Sequence, residues 1–224
     1  MSNAVVSHQG RPGWPLVPGS TLPSAIVVAV WFAVVVWLGA TGAFVAPPGA
    51  IPIAIALGVT LPVAVFFAAL WLSRPFREYV AAADLRLLLG IQAWRFAGLG
   101  FLALYTYHVL PGTFAWPAGL GDIAIGLTAP LLLVALIRRP GFAATKTFVG
   151  WNLLGVLDLV VAVGTGALGS ALATGTAAEI TTRPMAELPL VLIPGFLVPI
   201  FIMLHVAALL QTRRLAGGAT GRET

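Results

Sequence analysis

The sequence predicts an all-α integral membrane bundle of six transmembrane helices with both termini on the cytoplasmic side, and three observations carry that reading. Hydrophobic residues make up 59 % of the 224 and charged residues only 8 %, with a mean hydropathy of +1.01. An ordinary soluble domain is about one quarter charged, so this chain lacks the polar groups to cover a water-facing surface. Six apolar stretches reach the length of about 20 residues that crosses a hydrocarbon core at a rise of about 1.5 Å each. The basic residues, finally, cluster on alternate connections between those stretches.

Each element has its own justification. The first span, about 23–45, exceeds the apolar core of a signal peptide and is preceded only by Arg11, so it reads as a retained signal anchor. "APPGA" at 46–50 is a tight turn, because proline fixes φ and glycine relieves it, and it opens the second span at about 50–72. Residues 73–86, "SRPFREYVAAADLR", mix charges with Tyr and Ala. They admit two readings: a helix lying in the headgroup layer, or a cytoplasmic extension of the next span. The third span, about 86–110, ends at the turn "LPGT". The fourth, about 114–137, runs into the charged turn "RRPGFAATK", and the fifth occupies about 147–169. The connection at 170–187, rich in Thr, Ala and Glu, has room for a short surface helix. The sixth span, about 188–211, contains Pro194 and Pro199, which remove backbone donors and predict a kink. Tails at 1–22 and 212–224 complete the chain.

Orientation follows from Arg and Lys. With six spans, one side receives Arg11, the loop residues Arg74, Arg77, Arg86, Arg138, Arg139 and Lys146, and the tail residues Arg213, Arg214 and Arg222. The other receives only Arg183, beside Glu179 and Glu187. This asymmetry also accounts for the net charge of +5 without nucleic acid, which is excluded as a partner. The expected partner is the lipid bilayer, with a second copy of the chain or another membrane subunit left open.

Several chemistries lack their residues. There is no cysteine for disulfides, thiolate metal sites or nucleophiles. Lys146 is the one lysine and lies outside the spans, so no intramembrane Schiff base is available. His108 near the outer surface and His205, about 12 Å from the cytoplasmic edge, are too far apart in depth to share a haem iron. No cofactor and no metal site are therefore expected. His108 reads as interfacial, and His205 as hydrogen-bonded to a neighbouring helix. No HExxH, GxSxG or GKS/T motif is present, which leaves an enzyme without a legible reaction.

The candidate site starts from Arg95, inside the third span. Counted from the cytoplasmic edge, Arg95 lies about 16 Å deep and Asp158 about 18 Å, both near mid-membrane. A lone central Arg or Asp costs about 2.5–3.5 kcal/mol. Together they cancel that cost, since a guanidinium only donates and a carboxylate only accepts. Asp122, about 24 Å deep, is within reach of the same long side chain. Two acids against one base leave a surplus negative charge that a proton or bound cation neutralises, as a proton- or cation-coupled device uses. Small residues flank both acids: Ala115, Ala118, Gly119, Gly126 and Ala129 around Asp122, and Gly155, Ala162 and Gly169 around Asp158. Such stripes let helices approach closely. At helical spacing Gln92, Arg95 and Thr106 share a face, His108 points nearly the opposite way, and Asn152 caps the site from below.

The run "LPGTFAWPAGLGDIAIGLTAP" at 110–130, with "WRFAGLGFL" before it and "WNLLGVLDLVVAVGTG" after, resembles a family of small uncharacterised bacterial multi-pass membrane proteins. The resemblance implies a bacterial inner membrane and places Arg95, Asp122, Asn152 and Asp158 in one core. It implies no activity. The function expected from the residues is movement of a proton or small solute through that core. The alternatives are a non-catalytic accessory or assembly subunit using the small-residue faces, and a membrane-embedded enzyme or pigment-binding protein.

Overall fold

A computed structural model describes residues 22–220, with side chains as far as Thr212 and excepting that of Pro140. Arg11 and Arg222 of the expected tails lie outside that description, as do the side chains of Arg213 and Arg214. All regular structure among the described residues is helical. The α-helices are α1 (Leu22–Ala40), α2 (Ile53–Leu72), α3 (Arg74–Ala81), α4 (Leu85–Gln92), α5 (Leu99–Thr106), α6 (Gly112–Arg138), α7 (Lys146–Ala171) and α8 (Val198–Thr220). Six stretches are long and apolar enough to cross a membrane: α1, α2, α4 to α5 taken together, α6, α7, and Ile193–Thr212.

Local chemistry sets the boundaries. Ser73 accepts a hydrogen bond from Phe76 N at 3.3 Å and starts α3, Asp84 accepts from Arg86 N at 2.8 Å and starts α4, and Thr145 accepts from Phe148 N at 3.3 Å and starts α7. The cap at Asp84 marks a break between two helices. Arg74–Ala81 is a separate helix, not an extension of the third span. It is tied down at both ends. Arg77 Nη1 donates to the last carbonyls of α2, Leu70 O at 3.1 Å and Trp71 O at 3.0 Å, and Gln211 of α8 donates to Val80 O and Ala83 O.

Helices α1 and α5 stop earlier than their apolar runs suggest, and for one reason. After α1, Gly42 takes φ 73° while Gly42 N donates to Gly39 O and Ala43 N to Leu38 O, the paired bonds of a Schellman turn. After α5 the same turn forms around His108, at φ 57°, with His108 N donating to Tyr105 O and Val109 N to Leu104 O. A left-handed residue has closed the helix in each case, so the spans end at Ala40 and Thr106 instead of about 45 and 110.

Two spans depart from α geometry in their interiors. The third passes through a 3₁₀ segment, Ala93–Gly98, between α4 and α5. The sixth opens with a π-helical turn, Ile193–Leu197, at Pro194 and before Pro199. The 170–187 connection contributes a 3₁₀ turn at Arg183–Ala186, with Met185 and Ala186 buried.

The third to sixth spans form the centre, and α1 is peripheral, with Val35 its one buried residue. Apolar packing divides into clusters at the two ends. At the end of α3 and the 139–145 turn, Leu89, Leu136, Phe148 and Ala208 pack together. At the opposite end Phe101, Leu110, Phe114 and Met185 do so. Polar side chains share the level between with a further apolar cluster, Val59, Leu159, Val198 and Phe201.

His108 is exposed and holds a conformation that costs a non-glycine residue about 1–2 kcal/mol. His108→Gly is expected to stabilise the protein by about 1 kcal/mol in reversible unfolding from detergent micelles. A loss of stability would show that the imidazole makes a contact the turn geometry does not account for.

Candidate functional site

Glycines bring the backbones of the third span and α6 together. A Cβ on Gly126 would collide with the backbone of Arg95 and Phe96, and one on Gly98 would collide with Asp122 Cβ. A Cβ on Gly119 would sit 3.1 Å from Gly98 O. At this crossing the chain runs as a 3₁₀ helix, which turns about 120° per residue instead of about 100°. From Arg95 to the segment's end at Gly98 the extra rotation amounts to about 60°. That rotation explains why the expected face does not persist. Arg95 points into the bundle, whereas Thr106 is exposed and donates to its own helix, to Ala103 O at 2.7 Å.

Arg95 is 2 % exposed and joins three helices. Its Nε donates to Asp122 Oδ1 on α6 at 2.7 Å, and its Nη2 donates to Asp158 Oδ2 on α7. Nη1 donates to Gly155 O at 3.2 Å and faces His205 Nε2 on α8 at 3.2 Å. The guanidinium also lies over the Phe201 ring, 5.9 Å from its centroid. A guanidinium has no acceptor, so His205 Nε2 must accept, which puts the imidazole proton on Nδ1. Nδ1 then donates to Asn152 Oδ1 at 2.9 Å, and Asn152 Nδ2 donates to Phe148 O at 2.9 Å. Trp151 closes the flank, edge-on to His205 at 5.3 Å and donating to Thr128 Oγ1 at 2.8 Å.

The glycines on α6 and α7 have a matching role. A Cβ at Gly121 would collide with Asp158 Oδ1, and one at Gly155 would collide with the His205 ring. The small-residue stripes therefore do two things: Ala115, Ala118, Gly119, Gly126 and Ala129 are all buried between helices, and the glycines leave room for charged and polar groups.

Of the residues singled out from sequence, Arg95, Asp122, Asp158, Asn152 and His205 thus form one cluster. Gln92 stands apart: it is buried one turn away, its Nε2 donates to Phe201 O at 3.3 Å, and its Oε1 has no partner among the described residues. Thr106 and His108 lie on the exterior and take no part. His205 was legible only as a histidine bonded to some neighbouring helix. Its depth, within a few ångströms of Arg95, was the signal for more. No group of three His, Cys, Asp or Glu among the described residues is placed to hold a metal ion.

The cluster is reached from one end of the bundle. A cavity of about 90 Å³ runs between α2, α5, α6, α7 and the start of the sixth span, with Asp122 and Leu159 deep on their helices and Ser170 and Arg183 near the mouth. Its walls are mainly apolar: Ile55, Phe101, Phe114, Val163 and Val198. A second cavity of about 200 Å³, lined by Pro47, Thr176 and Glu179, shares Ala46, Ser170 and Arg183 with the first and forms a polar vestibule. Glu179 anchors that vestibule by accepting from Thr174 Oγ1, Thr174 N and Gly175 N, and these bonds, the hydroxyl first, hold its carboxyl below the usual range. Asp122 and Asp158 each use one oxygen on Arg95, and their other oxygens accept no hydrogen bond from the described residues. Asp122 keeps 18 % side-chain exposure and Asp158 12 %, against 0 % for Arg95. Asp122 lines the cavity, and the Arg95 guanidinium does not.

Gly121→Ala and Gly155→Ala are expected to destabilise by about 1–3 kcal/mol, the cost of overpacking. Gly150→Ala and Gly164→Ala, on α7 with nothing within 4 Å of a new Cβ, should be neutral or stabilising by up to about 1 kcal/mol. Unfolding midpoints of the purified variants check this. Equal behaviour of the two pairs would contradict the close approach of α6, α7 and α8.

Comparison with known proteins adds one relation. No curated protein and no solved structure matches the chain. A family profile described as a domain of unknown function, DUF8737, matches residues 52–213, a stretch that begins just before α2 and contains every residue of the cluster. Because that match covers well over half of the sequence, the chain belongs to the DUF8737 family.

Proposed function

We propose that this chain is a multi-pass protein of the bacterial inner membrane, with both termini in the cytoplasm, that moves a proton or small solute through the Arg95–Asp122–Asp158 core. The observation that carries the reading is the cavity that ends on Asp122, whose second oxygen has no donor among the described residues. A carboxylate that served only to hold helices together would gain by having both oxygens satisfied inside the fold. Here one oxygen of each acid is held by Arg95 and the other is kept for something else.

The polarity of the bundle supports the same reading. The cavity opens at the end carrying the 41–52 and 172–192 connections, the side that the distribution of Arg and Lys makes extracytoplasmic. At the other end Leu89, Leu136, Phe148 and Ala208 are packed below the cluster. A cavity on one side of the cluster and apolar packing on the other suit a site that opens to one side at a time. Arg95 pairs with both acids, so the cluster carries one surplus negative charge when both ionise.

The accessory-subunit reading draws less support. It needs small-residue faces free for a partner, and those around Asp122 are consumed inside the bundle.

Reconstitution into liposomes with an internal pH indicator tests the proposal. Under an imposed membrane potential the protein should carry protons, Asp122→Asn should lower the flux at least about ten-fold, and Asp84→Asn should leave it unchanged, since asparagine caps a helix as well as aspartate. Undiminished flux through Asp122→Asn would overturn the role given to that carboxylate.

A further inference from the structure

The cavity has a composition that narrows what it holds. Apart from Asp122 at its deep end, the walls within the bundle are contributed by Ile55, Phe101, Phe114, Leu159, Val163 and Val198. The one cationic lining residue, Arg183 near the mouth, is paired with Glu187, its Nε donating to Oε1 at 3.0 Å. Arg95 does not line the cavity. A guest that enters therefore meets polar groups first, then hydrocarbon, then a carboxylate oxygen with no donor among the described residues.

Charge counting gives the sign of the head group. Two carboxylates share one guanidinium, so the ionised cluster carries one net negative charge. An anion would add to it. A neutral guest would leave it uncompensated. A monovalent cation brings it to zero, and an ammonium head supplies N–H donors of the kind that Asp122 Oδ2 lacks. An inorganic cation would satisfy the charge but waste the apolar walls, whose burial of a hydrocarbon tail tightens binding by about four-fold per methylene.

We propose that this cavity, the same one on which the transport reading rests, takes a primary ammonium ion with a short apolar tail, its head on the free oxygen of Asp122 and its tail against Phe101, Phe114, Leu159 and Val198. The head lies deepest and the tail points back toward the vestibule. An ammonium entering past Arg183 meets a charge already offset, because Glu187 pairs with that guanidinium.

Binding to the full chain in lipid nanodiscs, followed by titration calorimetry, tests this with propyl-, butyl- and hexylammonium, hexanol and hexanoate. Affinity should rise with tail length by about four-fold per methylene until the cavity is filled, and hexylammonium should bind at least about ten-fold more tightly than hexanol, with hexanoate weakest. Asp122→Asn should abolish the preference for the ammonium over hexanol. Ala167→Leu, which fills the cavity wall without touching the charged cluster, should weaken all the tailed ligands together. The head-group series on the unaltered protein decides the matter even if Asp122→Asn fails to fold. Equal binding of hexanol and hexylammonium, or tightest binding of hexanoate, would overturn the inference. Protons carried without any ammonium preference would do so too while leaving the transport reading intact; ammonium bound without flux would keep this ligand and remove transport.

Discussion

The structure depends on one guanidinium that cannot reach water. Arg95 sits on the third span, fully enclosed, and every neighbouring central helix contributes an acceptor to it: Asp122 from α6, Asp158 and the Gly155 carbonyl from α7, His205 from α8. A buried charge without partners costs several kcal/mol, and this enclosure gives the chain a strong reason to assemble its four central spans in one arrangement. The constraint propagates outward. His205 accepts from Arg95, so its proton must lie on Nδ1, so Asn152 must present its oxygen, so its amide must find Phe148 O. Two glycines follow from the same requirement, because Gly121 and Gly155 leave the space that Asp158 and the His205 ring occupy.

Much of this was written in the sequence, and the limits have physical causes. Length and hydropathy located the six stretches, because crossing hydrocarbon demands a minimum apolar length whatever the packing. Depth counting brought Arg95 level with Asp158 and left Asp122 within reach, because a helix has a fixed rise. The stripe Ala115, Ala118, Gly119, Gly126 and Ala129 was visible from spacing alone, and every member is buried. What spacing missed came from backbone that is not α-helical. The 3₁₀ segment at Ala93–Gly98 rotates the rest of the span, which took Thr106 out of the face shared with Arg95. The closure of α5 at His108 needed a left-handed residue that carries no glycine signal. His205 was underread because a single histidine on an apolar helix has no pattern to fix its direction.

Two non-α segments adjoin the site. The 3₁₀ segment carries Arg95 itself, and the π-helical turn at Ile193–Leu197 lines the cavity through Ile193 and Pro194. Both have weaker backbone ladders than an α-helix. The opposite end is held by tight apolar packing, which includes Ala143 of the 3₁₀ turn Pro140–Ala144, and by the clasp of Gln211 on α3.

The central claim is that Arg95 and its acids are energetically one unit. A double-mutant cycle on Arg95→Gln and Asp158→Asn, read as unfolding free energy in the same micelles, tests it most directly. Stranding the acids with Arg95→Gln should cost about 3–5 kcal/mol, and adding Asp158→Asn should recover part of that, giving a coupling of at least about 1 kcal/mol. Losses that add to within about 0.5 kcal/mol would mean that the guanidinium and the carboxylate do not sense each other, and the account would fail there.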